Sequence, residues 1–296
     1  MTSSDFLLLD GGMGKALEAQ GAPFRQPEWS ALALMEDPES VVTAHCDFIA
    51  AGADAIISSN YAVVPFHLGE QRFDERCEEL SELSGRLARR AADSVDRPVL
   101  VAGSLPPLFG SYEPDLFDAE RAPELLARIA SSLAPFVDLF VAETQSCLAE
   151  ARASLLVAAT YEVPRWVSYT LTDELVDGHV ELRSGESTLV ALAIAEEMGS
   201  EAILFNCSSP EVMELAIREV VANRSTGIVV GAYANAFEPR PQNYSANEAL
   251  LDHRVDLDPG GYRRFVESWL HAGAGIVGGC CGIMAHHIEE LATLKP

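Results

Sequence analysis

The chain has 296 residues, of which 48% are hydrophobic and 22% are charged, a composition typical of a globular protein. Its formal net charge is −25, which disfavours binding to nucleic-acid phosphates and to anionic lipid surfaces. No stretch approaches the roughly 18 uninterrupted apolar residues of a membrane-spanning helix, and the N-terminus lacks the basic and apolar pattern of a leader, so we expect a cytoplasmic protein.

Short apolar runs with little alternation recur along the chain, as is typical of parallel strands buried on both faces. These runs predict strands near residues 6–9, 55–58, 99–102, 139–142, 166–169, 202–205, 228–231 and 275–277. Amphipathic stretches between them predict helices over residues 38–51, 72–93, 122–136, 146–158, 188–198, 210–223 and 260–272.

The alternation of predicted strands and helices indicates an α/β protein. Eight strands over about 290 residues favour a (β/α)8 TIM barrel, with a doubly wound open sheet as the alternative. No low-complexity linker or charge run divides the sequence, so we predict a single domain over residues 1–296. The longer irregular segments, 104–121 and 234–258, follow strands three and seven, where barrel loops line the active face.

The first predicted strand leads into a glycine-rich turn, Asp10-Gly-Gly-Met-Gly-Lys15. The turn matches neither the P-loop pattern nor the dinucleotide-binding pattern, so its glycines indicate an awkward strand-to-helix connection instead. Asp10 ends the strand, at the position from which a barrel side chain points into the active mouth.

Six cysteines occur, and a disulfide framework is not expected in a cytoplasmic chain of this length. Three of them follow predicted strands six and eight, at positions Cys207, Cys280 and Cys281. Three thiolates around an open fourth position form a plausible catalytic zinc site. Neighbouring glycines at 278, 279 and 282 let two adjacent thiols face one ion, although buried thiols or a vicinal disulfide are the alternatives for such a pair.

Together these residues resemble the zinc-dependent homocysteine S-methyltransferases, a family that includes S-methylmethionine- and betaine-dependent enzymes. The resemblance is carried by Leu9-Asp-Gly-Gly-Met-Gly14, Ala51-Gly-Ala-Asp-Ala-Ile56, Ala142-Glu-Thr144, Ala149-Glu-Ala151, Phe205-Asn-Cys207 and Gly278-Gly-Cys-Cys281 with His287-Ile288. It implies a (β/α)8 barrel with Zn²⁺ on Cys207, Cys280 and Cys281. It also implies that Asp10 and Glu143 bind the substrate ammonium group. Asn235 resembles the Asn of the family's Tyr-Pro-Asn motif, although the proline is absent, and is expected to bind substrate as well.

The resemblance implies methyl transfer between two small molecules, from a sulfonium donor such as S-methylmethionine or S-adenosylmethionine to homocysteine. The loops that differ most from the family, after strands two, three and seven, face the donor side, where we expect Phe109 or Tyr112 to contact a methylated cation. Betaine as donor, another thiol or selenol as acceptor, and a vicinal-dithiol redox or zinc-buffering protein are the alternatives. Neither a nucleic acid nor a membrane is an expected partner.

Overall fold

The computed structural model of the chain describes residues 6–240 and 252–296. All eight predicted strands are present, and they pair in parallel in the order β1-β8-β7-β6-β5-β4-β3-β2. The strands are β1 (Leu7–Leu8), β2 (Ala55–Ile57), β3 (Leu100–Leu105), β4 (Leu139–Gln145), β5 (Arg165–Tyr169), β6 (Ala202–Asn206), β7 (Val229–Tyr233) and β8 (Ile276–Val277).

The sheet closes on itself through its first strand. On one side, Leu7 and Leu8 of β1 pair with Ile276 and Val277 of β8. On the other side, Leu9 forms a parallel bridge with Ala55 of β2, and the Asp10 amide donates to the Ala55 carbonyl at 3.0 Å. The (β/α)8 barrel is therefore confirmed, and the open doubly wound sheet is wrong.

Helices surround the barrel and connect successive strands. They are α1 (Met13–Ala19), α2 (Ser30–Glu36), α3 (Pro38–Ala50), α4 (Pro65–Leu68), α5 (Glu70–Ala92), α6 (Ala122–Leu133), α7 (Leu148–Ala158), α8 (Thr188–Glu197), α9 (Pro210–Asn223), α10 (Pro259–Ala272) and α11 (Ala285–Ala292). The seven predicted helices match α3 and α5 to α10 within a few residues. The sequence did not predict α1, α2, α4 or α11, because each is at most eight residues long and shows too few turns for a periodicity to emerge.

Alternation along the strands separates the core into two layers. One set of side chains fills the barrel interior, among them Leu9, Val141, Leu204 and Tyr233. The intervening residues point outward and pack against the helices in a much larger cluster. Because the interior set continues to the carboxyl ends of the strands, inward-facing polar residues there meet at one mouth.

The loop after β7 contributes Phe237 and Arg240 to the wall of that mouth. Phe237 pairs in antiparallel fashion with His253, and the Glu238 amide donates to the Asp252 carbonyl at 3.1 Å. Part of the predicted irregular segment 234–258 lies outside the described residues, as does the N-terminal stretch in which a leader was sought. Within the described part of the chain, the helices are too short or too polar to span a membrane.

Candidate active site and metal centre

A cavity opens at the carboxyl ends of the barrel strands. Asp10 after β1, Glu143 in β4 and the three cysteines after β6 and β8 all line it. In (β/α)8 barrels this face is built from loops of many strands, so residues far apart in sequence share one pocket. The sequence-predicted carboxylates and cysteines are thus brought together in a single site.

Three cysteine sulfurs converge in this cavity. The Sγ atoms of Cys207, Cys280 and Cys281 all lie within 4.8 Å of one another, and those of Cys207 and Cys281 are 3.9 Å apart. Two thiolates on one tetrahedral zinc ion, each about 2.3 Å from the metal, stand about 3.8 Å apart. The donor set and this spacing fit a zinc ion with one position open.

The sulfurs of Cys207 and Cys280 lie close enough to each other to form a disulfide. This pair is not the vicinal pair Cys280 and Cys281 that the sequence offered as an alternative, and one such pair is not a disulfide framework. The three sulfurs converge as the ligands of one metal ion would. Sulfurs this close together are also within reach of oxidation to a disulfide. A disulfide sulfur is not a thiolate, so metal binding requires such a bond to be reduced.

Backbone contacts hold the cysteine loop in place. The Gly279 amide donates to the Asp10 carbonyl at 3.0 Å, and the Cys280 amide donates to the Ala234 carbonyl at 2.9 Å. The Ala236 amide in turn donates to the Cys281 carbonyl at 2.9 Å. The loop after β8 is therefore tied to the loops after both of its neighbouring strands.

The two acidic residues are buried carboxylates with defined partners. Asp10 Oδ2 accepts a hydrogen bond from the Ile57 amide at 2.9 Å, and Glu143 Oε2 accepts one from Ser104 Oγ at 2.6 Å. Burial raises the pKa of Glu143 to about 7, against the opposing effects of the Ser104 and Tyr233 hydroxyl groups. Burial also raises the pKa of Asp10 well above its usual range, and the nearby Glu143 charge adds to the rise.

Asn235, unlike Asp10 and Glu143, does not line the cavity. Its side chain is buried, and its Oδ1 accepts a hydrogen bond from the Phe237 amide at 2.8 Å. In this conformation the side chain stabilises the turn after β7, and a role in substrate binding stays a prediction.

One wall of the cavity is aromatic, and most of its residues were not predicted from the sequence. Phe24 and Trp29, from the segment between α1 and α2, contact each other edge to face at 5.6 Å between ring centroids, and Phe237 lines the cavity as well. Tyr112 was expected here and does line the cavity, whereas Phe109 does not and instead lies under the Arg121 guanidinium. The feature of the sequence that could have indicated this wall is the tryptophan at position 29, which follows Pro27 and Glu28 and directly precedes α2.

Arg240 is a second residue that sequence reasoning missed. Its guanidinium lies 4.4 Å from the Tyr112 ring centroid, and its Nη1 donates to the Cys207 carbonyl. The side chain is buried, lines the cavity and lowers the pKa of the Cys281 thiol, although burial still raises that pKa overall. Arg240 therefore contributes positive charge next to the cysteine cluster.

Backbone strain is concentrated around the same cavity. Among the described residues, five that are not glycine have positive φ: Trp29, Tyr112, Thr144, Asp177 and Cys207. All of them except Asp177 line the cavity. Such conformations cost free energy and persist where the surrounding structure holds them for function.

The fold and the site define a class: an enzyme built on a (β/α)8 barrel, with a cysteine cluster and paired carboxylates at the carboxyl face. A family model for homocysteine S-methyltransferase matches residues 7–294. The chain belongs to the homocysteine S-methyltransferase family.

Individual relatives agree with this assignment. The homocysteine S-methyltransferase of Escherichia coli (strain K12) is 30% identical over 100% of this chain and 96% of its own length. The selenocysteine Se-methyltransferase of Brassica oleracea var. italica is 28% identical over 93% of this chain and 85% of its own length. The crystal structure of the homocysteine methyltransferase MmuM from Escherichia coli in its metallated form superposes with a TM-score of 0.79 at 25% identity, covering 98% of this chain and 96% of that one. An oxidised form of MmuM is equally similar.

Proposed function

We propose that the chain transfers a methyl group from a small sulfonium donor to the thiol of homocysteine and forms methionine. One observation carries the proposal: three cysteine sulfurs and two buried carboxylates line one cavity. Homocysteine has a thiol at one end and an ammonium group, beside its carboxylate, at the other. The cavity offers the cysteine cluster as a partner for the thiol and the two carboxylates as partners for the ammonium group. The family and its named relatives support the same acceptor.

The cysteine cluster is proposed to bind Zn²⁺ through Cys207, Cys280 and Cys281 once it is reduced. A free thiol has a pKa near 8.5 and is mostly protonated at neutral pH. Zinc bound there would favour the thiolate form of a substrate thiol, which is the nucleophile. The sulfur–carbon bond to the acceptor then forms as the donor's sulfur–carbon bond breaks, and the electron pair of that bond stays on the donor sulfur, which becomes neutral.

The chain's own residues hold the two substrates for this transfer. Asp10 and Glu143 are proposed to bind the homocysteine ammonium, which fixes the thiol in the direction of the cysteine cluster. The wall formed by Phe24, Trp29 and Phe237 is suited to a methylated cation, because aromatic faces attract positive charge without hydrogen bonds. Alignment of thiol, methyl carbon and leaving sulfur supplies much of the rate enhancement.

S-methylmethionine is the proposed donor, and S-adenosylmethionine a slower substitute. The formal charge of −25 favours the approach of a cationic donor. Betaine, also a methylated cation, is the main competitor because the aromatic wall does not by itself discriminate sulfonium from ammonium. A selenol acceptor is the second candidate, since one relative is a selenocysteine Se-methyltransferase.

The test is a matrix of donors and acceptors. Reduced, zinc-loaded protein is incubated with homocysteine or selenocysteine and with each of the three donors, and the methylated products are quantified. We expect methionine from homocysteine with S-methylmethionine and loss of turnover on chelation. Turnover with betaine but with neither sulfonium would overturn the donor, and thiol–disulfide cycling without any methyl transfer would indicate a redox protein instead.

A further inference from the structure

Tyr233 places a hydroxyl group at the floor of the active cavity. The residue ends β7, belongs to the inward-facing set of barrel side chains, and is 1% exposed. It also lines the cavity that holds the cysteines and the carboxylates. Glu143 and Ser168 lie close to its Oη, but among the described residues no group makes a well-formed hydrogen bond with it. A buried polar atom without a partner costs free energy, so its persistence at a ligand cavity points to the ligand.

The neighbourhood of this hydroxyl identifies the ligand group. Burial, and to a smaller extent the charges of Glu143 and Asp10, raise the pKa of Tyr233 well above its ordinary value, so the side chain remains a neutral hydroxyl with acceptor lone pairs. The Ser168 hydroxyl is close enough to influence it as well, but donates to Asn206 Oδ1 at 2.8 Å. Tyr233 Oη therefore shares its surroundings with the two carboxylates proposed to bind an ammonium group.

We propose that Tyr233 Oη is the third acceptor for the substrate ammonium group, beside Asp10 and Glu143. A primary ammonium carries three N–H donors, and two carboxylates leave one of them without a partner unless a further acceptor is present. The tyrosine proton stays on Oη and remains available to Glu143 or Ser168. This inference rests on the proposed function, and it makes Tyr233 a determinant of specificity for a primary amine.

The test compares Tyr233→Phe with the wild-type protein in a binding measurement that needs no donor. Cobalt-loaded protein is titrated with homocysteine, and thiol coordination is followed by thiolate-to-cobalt absorption. Loss of one charge-assisted hydrogen bond should raise the Kd about tenfold. For 4-sulfanylbutanoate, which has the thiol and the carboxylate but no amine, the Kd should be the same in both proteins.

Tyr169→Phe is the matched control. Tyr169 is equally buried and its Oη likewise lacks a partner among the described residues, but it belongs to the outward-facing cluster and not to the cavity wall. This variant should bind homocysteine like the wild type. Cobalt content and thermal denaturation establish that each variant is folded and loaded.

Two results would overturn the inference: an unchanged homocysteine Kd in Tyr233→Phe, or an equal rise for both thiols, which indicates a general structural effect. A failure of the proposed function has a different signature. In that case the thiolate-to-cobalt absorption of the wild-type protein, which its own cysteines produce, does not change when homocysteine is added.

Discussion

At the scale of single residues, Asp10 and Glu143 are the most informative side chains. Each is buried in the barrel mouth, and each receives a hydrogen bond from a neutral group, the Ile57 amide or the Ser104 hydroxyl. Two carboxylates so close together and so far from water resist ionising at the same time. A bound ammonium group would favour the ionised form of both, which is consistent with the proposed ammonium site.

Neutral isosteres of these residues should weaken homocysteine binding. Asp10→Asn and Glu143→Gln keep the shape of the side chain but remove its charge, and each should raise the Kd on the order of ten- to a hundredfold. Calorimetric titration of reduced, metal-loaded protein measures the effect, and metal analysis should show full occupancy. Wild-type affinity in both variants would mean that the amine is held elsewhere.

The elevated pKa of Glu143 predicts a pH-dependent affinity. With a pKa of about 7 in the ligand-free protein, the carboxyl group is ionised above pH 7 and protonated below it. Since only the ionised form attracts an ammonium group, the Kd for homocysteine should rise as the pH falls through 7, by up to about tenfold per pH unit.

Calorimetric titrations between pH 5.5 and 8.5 measure how the Kd changes with pH. Protonation of the substrate thiol also changes the Kd, but it does so equally in all variants, so a difference between variants reports Glu143. The slope of log Kd against pH should be steeper in the wild type than in Glu143→Gln. Glu150→Gln is the control, because burial raises the pKa of Glu150 to about 8 but the residue lies outside the cavity wall. Equal slopes in the wild type and Glu143→Gln would contradict the prediction.

At the scale of elements, the turn after β8 decides whether two adjacent cysteines can bind the same metal ion. A Cβ atom added at Gly278 would lie 2.5 Å from Leu9 Cβ, and one added at Gly279 would lie 2.1 Å from Ile283 Cγ2. Both distances are far below van der Waals contact. These glycines are therefore required by close packing of the turn against β1 and against the residues that follow it.

Gly279→Ala should consequently displace the cysteine turn. The added methyl group has no space beside the buried Ile283, and overpacking of this kind costs about 1–3 kcal/mol. We expect a lower melting temperature and at least a tenfold weaker affinity for zinc, measured by competition with a chelating dye. Gly227→Ala is the matched control, since no atom lies within 4 Å of its added Cβ. Wild-type zinc affinity in Gly279→Ala would show that the turn tolerates displacement.

The strands and the short helices differ in how far local sequence determines them. All eight strands were predicted, because each is an apolar run buried on both faces and bounded by turn residues. The helix α2 was not, although five of its seven residues are buried. It carries little periodicity and exists through packing against α3 and α5, which a sequence pattern does not reveal.

At the scale of the whole molecule, the barrel brings together sulfurs that are 73 residues apart in the chain, those of Cys207 and Cys280. The same convergence supports two chemical states, a disulfide in the oxidised protein and a three-thiolate cluster in the reduced protein. Because one sulfur cannot serve both, oxidation and metal binding exclude each other.

Zinc uptake should therefore depend on reduction. Reduced wild-type protein is expected to bind one zinc ion per chain, and oxidised protein none until a dithiol reductant is added, as measured by elemental analysis after desalting. Cys280→Ala should lose most of the zinc under both conditions, whereas Cys46→Ala, which alters a cysteine outside the cluster, should retain it. Full occupancy in Cys280→Ala would remove the cluster as the metal site.

The sequence alone was enough to predict the barrel, the approximate positions of its strands and the placement of Asp10, Glu143, Cys207, Cys280 and Cys281 at one face. It was enough because buried parallel strands have a local apolar signature, and because the carboxyl ends of all such strands meet at one face of a barrel. Family motifs then identified the chemistry those residues imply.

Only the tertiary structure decided which other side chains meet them. Trp29 and Arg240 come from irregular segments, and Tyr233 differs from the equally buried Tyr169 in facing the cavity instead of the helices. Likewise, the Asn235 side chain stabilises its own turn while Phe109 lies under Arg121, although both occupy positions that suggested substrate contact. The direction of a side chain in a loop depends on packing between distant segments, and local sequence carries no record of that packing.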